Sequence, residues 1–410
     1  MTGARERLLQ GLRGEGVPGL SEAEWDEVFE LAQKHGVTPL LHRNLKARYA
    51  DLRVPEAIQT RLRDTYRATG IRNTRIFAQL NGILKGFRAA GIDVVVLKGG
   101  HLAELVYEEV ALRPMGDVDL LVRPSDLRAA TQFLRSIGYA QSGHDATRER
   151  APQDPIPQNM EVDAFRKPGG LLLDLHYAII IPTHMEKVEI AELWGRAQAV
   201  RIGGAEAYVL SPEDLLLHLC IHAAANHGFE VTLLHLCDIP AVVGGYLDRI
   251  DWAVFWSRAQ AWGAERSVLV TLAVAERLLG WHRPEEIARG ASLPPAPFDV
   301  VALAERLLFE KGAAFGMSAN LPRLWGDASV AEKARLVLDR AFPSREEMGF
   351  TYGLPARSWK VPMLYPVRLG QLLARYAEPV IRAVAGRGEA DGSLDVAKER
   401  SRLIEWLVER

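Results

Sequence analysis

The sequence predicts an α/β (α+β) protein: a strand-bearing core, residues 89–210, between an N-terminal helical domain, 1–88, and a C-terminal helical domain, 211–410. Three observations carry this. Before 89, apolar residues recur at helical spacing; from Val94 they gather into short continuous runs and hairpin-like pairs. At Ser211-Pro212-Glu213-Asp214 a cap, a first-turn proline and two acids restart a helical pattern that runs to about 340.

In order, Ser21 caps EAEWDEVFELAQKHG, where Trp25, Val28, Phe29, Leu31 and Ala32 share one face and Gly36 supplies the stop. Pro55 opens a longer helix, and Thr74 to Arg88 carries Ile76, Phe77, Leu80, Ile83, Leu84 and Phe87 on one face. Gly91-Ile92-Asp93 turns into VVVL, a buried-strand pattern, followed by Gly99-Gly100 and a helix over Leu102 to Glu109. Arg113 to Gly116 is a turn, and DVDLLV is a strand with Val118, Leu120 and Val122 opposite Asp117 and Asp119. Ser125 caps DLRAATQFLRSIG, which Gly138 ends. Residues 141–159 are polar and proline-rich, a long loop. MEVDAFR with LLLDLHYAI, and AVRI with AEAYVL across Gly203-Gly204, are two hairpins. Further helices begin at Asp251-Trp252, Glu265 and Pro297; 343–366 is irregular, Leu369 to Ala385 is an amphipathic helix, and the tail DVAKERSRLIEWLVER is helical.

The length favours two or three domains. Fifty basic against 52 acidic residues give a net charge of −2, which argues against a bulk electrostatic grip on nucleic acid. Two cysteines, Cys220 and Cys237, exclude a disulfide framework. The opening residues lack the apolar core of a signal peptide, and no run of about 18 apolar residues reads as a membrane span. The expectation is a cytoplasmic protein that does not cross a membrane.

The chemistry concentrates between Val94 and Val122. Asp117 and Asp119, one residue apart on a strand, point to the same face. Like charges that close repel unless a cation sits between them, so a divalent metal is expected. The Gly99-Gly100 turn before a helix offers backbone N–H groups to a phosphate. Asp174, an acid among apolar residues in LLLDLHY, is the candidate third ligand, because an unpaired carboxylate there would be costly to bury. Three carboxylates on neighbouring strands would let two Mg²⁺ ions, with Mn²⁺ as a substitute, clamp a triphosphate; Asp174 could also be the base for an incoming hydroxyl. Metal ligands beside a phosphate cradle point to phosphoryl or nucleotidyl transfer.

This arrangement resembles the DNA polymerase β-like nucleotidyltransferase superfamily, whose signature is an apolar residue, Gly, Gly or Ser, a spacer, acid-x-acid and a later third acid. The runs LKGGHLAELVY, LRPMGDVDLLV and LLLDLHY look like the bacterial branch labelled nucleotidyltransferase family. HGVTPLLHRNL near the start and the His-rich helix near 220 are similar too. The resemblance implies a mixed-sheet core, with Gly99 and Gly100 contacting phosphate and Asp117, Asp119 and Asp174 as metal ligands. Two departures stand out: 16 residues separate Gly100 from Asp117, slightly more than the usual spacer, and Gly100 stands where many members have Ser.

Further nucleotide-binding candidates are Lys98, a phosphate partner or a solvated strand-end lysine, and Arg113, a phosphate partner or a counter-charge to Asp117 and Asp119. His176 shares the face of Asp174 and could orient it, act on a substrate proton or be structural. His222, with His227, ends a helix lining a nucleotide cleft or pairs with Asp238. A zinc site from His218, Cys220, His222, His227, His235 and Cys237 is disfavoured, because H-x-C-x-H on one helix splits its ligands across faces. The leading expectation is an enzyme that moves a nucleoside monophosphate, most simply AMP from ATP, to a small-molecule, peptide or protein acceptor. Its rivals are a nucleotide-sensing or antitoxin-like module that binds a partner protein, and a transferase using a nucleotide-sugar donor in a natural-product or polysaccharide pathway.

Overall fold

The computed structural model describes residues 2–17, 19–142, 163–179, 188–288, 298–310, 358–370 and 391–408, with isolated positions 342, 345 and 348. The expected loop at 141–159 therefore lies outside the described residues from 143 on, as does most of the irregular 343–366 stretch and all but the start of the helix expected at 369–385.

Four helices precede the sheet: α1 (Thr2–Leu12), α2 (Glu22–Lys34), α3 (Thr38–Leu45) and α4 (Glu56–Ala89). Ser21 and Glu24 form the reciprocal capping box of α2, which satisfies two backbone donors at once. The two apolar stretches read from Pro55 onward are one helix of 34 residues, α4. The sheet elements follow: β1 (Val95–Val96), α5 (Lys98–Leu105), β2 (Val118–Leu121), α6 (Leu127–Ser136), β3 (Ala140–Ser142), β4 (Asp163–Arg166), β5 (Leu173–His176), α7 (Ile190–Arg196), β6 (Gln198–Ile202) and β7 (Ala205–Val209). Then come α8 (Pro212–Ile221), a π-helical turn at His222–Asn226, α9 (Leu233–Tyr246), α10 (Trp252–Ala261), α11 (Glu265–Leu279), α12 (Glu285–Ala288), α13 (Val300–Phe309) and α14 (Asp391–Val408).

The seven strands form one mixed sheet in the order β3-β4-β5-β2-β1-β7-β6. β1 pairs antiparallel with β2 and parallel with β7; β2 pairs parallel with β5. Both expected hairpins, β4–β5 and β6–β7, are present and antiparallel. Gly203 and Gly204 turn the second at φ +56° and +81°, a conformation a Cβ would oppose.

Two apolar clusters lie on the sheet's two faces. Val118, Leu120 and Val122 pack with Ile76 to Phe87 of α4 and with Leu127, Ala130 and Leu134 of α6. Val95, Leu97 and Leu121 face a larger cluster that takes in Leu8, Trp25 and Leu41 from the first helices and Leu217, Leu236 and Val270 from the later ones. The first helices, with the start of α4, and the helices after 210 thus share a core on the sheet face to which Asp119 belongs, while the second half of α4 covers the other face.

Two expected boundaries differ. α5 begins at Lys98 and ends at Leu105, so Gly99 and Gly100 lie within its first turn and not in a turn ahead of it. A Cβ at Gly100 would stand 2.6 Å from Val96 Cγ1, and one at Gly99 2.8 Å from an Arg113 guanidinium nitrogen. The glycines let the helix lie directly on β1. At α6, Ser125 bonds to Asp126 instead of capping the helix, which is entered through a short 3₁₀ turn at Pro124–Asp126.

Candidate active site

The parallel β2–β5 register sets Asp119 directly beside Asp174 and Leu121 beside His176. Residues two apart on a strand share a face, so Asp117, Asp119, Asp174 and His176 belong to the same side of the sheet. Asp119 is buried, Asp174 half-buried and Asp117 exposed. The Leu97 N–H donates to the Asp119 carbonyl at 3.0 Å, which fixes the start of α5 against β2 at this level.

Asp119 is the electrostatic centre. Its Oδ1 accepts from Lys98 Nζ at 2.8 Å and stands 2.7 Å from His176 Nε2. Burial by itself would raise this carboxyl, but the Lys98 ammonium and the hydrogen bond from His176 outweigh burial and hold it well below the usual carboxylate range. Its neighbours move the other way. The Asp174 carboxyl is raised by burial and then by the charges of Asp119 and Asp117; the Asp117 carboxyl is raised by desolvation and then by Asp119. One member is held ionised while two resist ionisation, so a further cation would be welcomed by the set.

Lys98 itself sits at φ +36°, left-handed backbone that a side chain disfavours. It opens α5, whose first-turn N–H groups have no partner inside the helix.

Arg113 is placed differently from the other candidates. Its Nε and Nη2 donate to Asp238 Oδ1 and Oδ2 at 2.9 and 2.8 Å, and the Tyr107 hydroxyl donates to Asp238 Oδ1 at 2.9 Å. Arg113 and Asp238 are 6% and 0% exposed, so the guanidinium is a buried structural cation behind the glycines and not a free phosphate ligand. Asn73 of α4 donates to the carbonyls of Val110 and Arg113, fixing the same connection from the other side.

His222 ends α8 and opens the π-helical turn, a local widening that recurs at functional sites. Its ring lies 4.4 Å from that of His227 and 5.6 Å from that of His235, nearly parallel to the latter at 14°; the His218 ring is 6.2 Å away. Burial lowers all four imidazoles, and the Lys98 charge lowers them further, so this neutral wall faces the Lys98 side of the core. The expected pairing of His222 or His227 with Asp238 is replaced by the Arg113 pair.

A family model described as uncharacterised nucleotidyltransferase matches residues 21–280, well over half of the chain. The chain belongs to this nucleotidyltransferase family. No curated protein matches it. Among solved structures, the chain is similar to an antigenic nucleotidyltransferase-like protein from Paracoccidioides brasiliensis, at 17% identity over 42% of this chain and 76% of that one, with a TM-score of 0.26. A likeness that low carries no argument here; the family match and the site geometry do.

Within this nucleotidyltransferase, the donor set suits a hard divalent cation in its chemistry: three carboxylates, two of them cross-strand neighbours, with Asp117 and Asp174 both raised in part by the charge of Asp119. As placed, no group of three His, Cys, Asp or Glu among the described residues could hold a metal ion; the nearest cation to Asp119 is the Lys98 ammonium.

The residues that sequence reasoning missed are Tyr107, Asn73 and, as the partner of Arg113, Asp238. A signal existed for the last: an acid in the apolar run LLHLCDIPAVV needs a buried partner for the same reason as Asp174.

Proposed function

We propose that this member of the family is a metal-dependent nucleotidyltransferase of the DNA polymerase β-like kind. It transfers a nucleoside monophosphate, most simply AMP from ATP, to a hydroxyl or phosphate acceptor in the cytoplasm. The observation that carries the reading is the register that sets Asp119 against Asp174, with Asp117 two residues upstream, at the N-terminal end of α5.

In the transfer, an acceptor oxygen attacks the α-phosphorus, a new O–P bond forms, and the bond to the β-phosphate breaks to release pyrophosphate. Asp117, Asp119 and Asp174 would hold Mg²⁺, or Mn²⁺ in its place, which when bound neutralises triphosphate charge and lowers the pKa of the attacking group. The first-turn N–H groups of α5 at Gly99 and Gly100, with no Cβ in the way, orient the phosphates. Lys98 neutralises phosphate charge within reach of β2. Asp174, held above the usual carboxylate range, is suited to take the acceptor proton. His176 fixes Asp119 by its hydrogen bond, and His222 lines the far wall.

Pyrophosphate release from α-labelled nucleoside triphosphates, with Mg²⁺ and a panel of hydroxyl- and phosphate-bearing acceptors, tests the reading. Asp119→Asn and Asp174→Asn should each lower release by about 100-fold or more. Release that Asp119→Asn leaves unchanged would refute the mechanism. Nucleotide binding indifferent to metal would favour a sensing module.

A further inference from the structure

Lys98 carries more than a phosphate contact. Its ammonium is 2.8 Å from Asp119 Oδ1, both side chains are largely buried, at 16% and 9% exposure, and the lysine is held at φ +36°. The same oxygen is shared with His176 Nε2 at 2.7 Å. One carboxylate oxygen thus has two nitrogen partners, and a divalent cation can use it only if the ammonium withdraws. The ammonium is on a flexible four-carbon stem and can leave, but a buried lysine needs a new counter-charge at its destination.

We propose that Lys98 is the resident counter-ion of the carboxylate trio, and that a divalent cation replaces it on Asp119 only when a triphosphate arrives to receive the ammonium. The inference rests on the nucleotidyltransferase reading and adds an order of events: metal and nucleotide enter as a unit, and either alone binds weakly. The lysine pays the electrostatic cost of the acidic cluster while the site waits, and it then moves from carboxylate to phosphate. Because such coupling is reciprocal, nucleotide tightens metal binding by the same factor by which metal tightens nucleotide binding.

The experiment is a binding measurement that needs no turnover. Free Mn²⁺ is followed by electron paramagnetic resonance against the full chain, with and without α,β-methylene-ATP, after correction for Mn²⁺ bound by the nucleotide itself. For the wild type, Mn²⁺ alone should bind at least about tenfold more weakly than with the analogue. Lys98→Met should bind Mn²⁺ alone at least about tenfold more tightly than the wild type, the nucleotide coupling should largely vanish, and adding Asp119→Asn should remove the gain. Lys98→Gln, which keeps a donor for Asp119 without the charge, serves if circular dichroism shows the Met variant misfolded.

Wild-type Mn²⁺ binding that is equally tight with and without the analogue would overturn the proposal, as would a Lys98 variant that binds Mn²⁺ no better. Wild type that binds neither Mn²⁺ nor analogue in any combination would instead overturn the nucleotidyltransferase reading beneath it. Tight Mn²⁺–nucleotide binding with no Lys98 effect would leave that reading standing and remove only the counter-ion role.

Discussion

The Arg113–Asp238 pair gives the sharpest test of how the site is held. Both nitrogen–oxygen distances are hydrogen-bond length, Asp238 is fully buried, and the Tyr107 hydroxyl shares its Oδ1. Asp238→Ala leaves a guanidinium without a counter-charge in the interior and a buried hydroxyl without its acceptor. Removing one partner of a buried pair costs roughly 3–5 kcal/mol; loss of the Tyr107 bond adds about 1 kcal/mol. The double variant Arg113→Met/Asp238→Ala removes both charges, and the cost should fall to about 1–2 kcal/mol, because the desolvation of two ions offsets most of what the pair contributes. Urea unfolding of the two single variants and the double variant measures this as a coupling energy. A single-variant cost below about 1 kcal/mol, or a double variant as unstable as the sum of the singles, would refute the claim that this is a desolvated pair.

Two further expectations follow from the same geometry. His101, His218 and His227 have folded-state values of about 3 and His235 about 4, lowered first by burial; His222 is lowered as well. The unfolded chain therefore binds more protons below about pH 6.5. Their full stabilising contribution is present above that pH and is lost as pH falls toward 4, at up to about 1.4 kcal/mol per pH unit for each histidine. Asp117 and Asp174, raised in the fold, pull the opposite way as they protonate. Urea midpoints should change little between pH 7.5 and 6.5 and fall clearly between 6.5 and 5.5, and a flat series down to 5.5 would contradict a neutral histidine wall. Glycine replacements should split by sign: Gly82→Ala, in open space on α4, should stabilise by up to about 1 kcal/mol, whereas Gly100→Ala, driving a methyl into Val96, should destabilise by about 1–3 kcal/mol. Thermal melts compare the two directly.

The local chemistry of the core was legible because it is written in short-range terms. Short apolar runs, the Gly203-Gly204 pair and a cap at Ser211 announce strands, a hairpin turn and a helix start without reference to anything distant. The lone acid of LLLDLHY was legible by cost, since an apolar strand holds a carboxylate only for a reason, and the register supplies Asp119 as its neighbour. What stayed hidden depends on contacts across long sequence separations. Arg113 finds Asp238 125 residues away, and nothing local distinguishes a guanidinium aimed at phosphate from one aimed at a helix. The role of Gly99 and Gly100 was half visible: the sequence shows that side chains are excluded, while only the packing shows that Val96 and Arg113 do the excluding.

The flanking helices now have a physical connection to the chemistry. In HGVTPLLHRNL, the His35 ring accepts the Leu233 N–H and its carbonyl lies 3.3 Å from the Leu234 nitrogen, so this motif receives donors from the first turn of α9. α9 carries His235 in the imidazole wall and Asp238 in the Arg113 pair. Arg113 in turn backs Gly99 in the first turn of α5, and that turn delivers Lys98 to Asp119. A run of direct contacts therefore leads from the second helix to the carboxylates, each link a hydrogen bond, an ion pair or a close approach. The matched family segment, 21–280, opens at the Ser21 cap of α2 and closes at Gly280, the left-handed cap of α11. Those limits enclose every member of the contact chain. A sheet with three acids could present the carboxylates alone; holding a lysine against one of them in left-handed backbone takes α5, and holding α5 takes the helices around it.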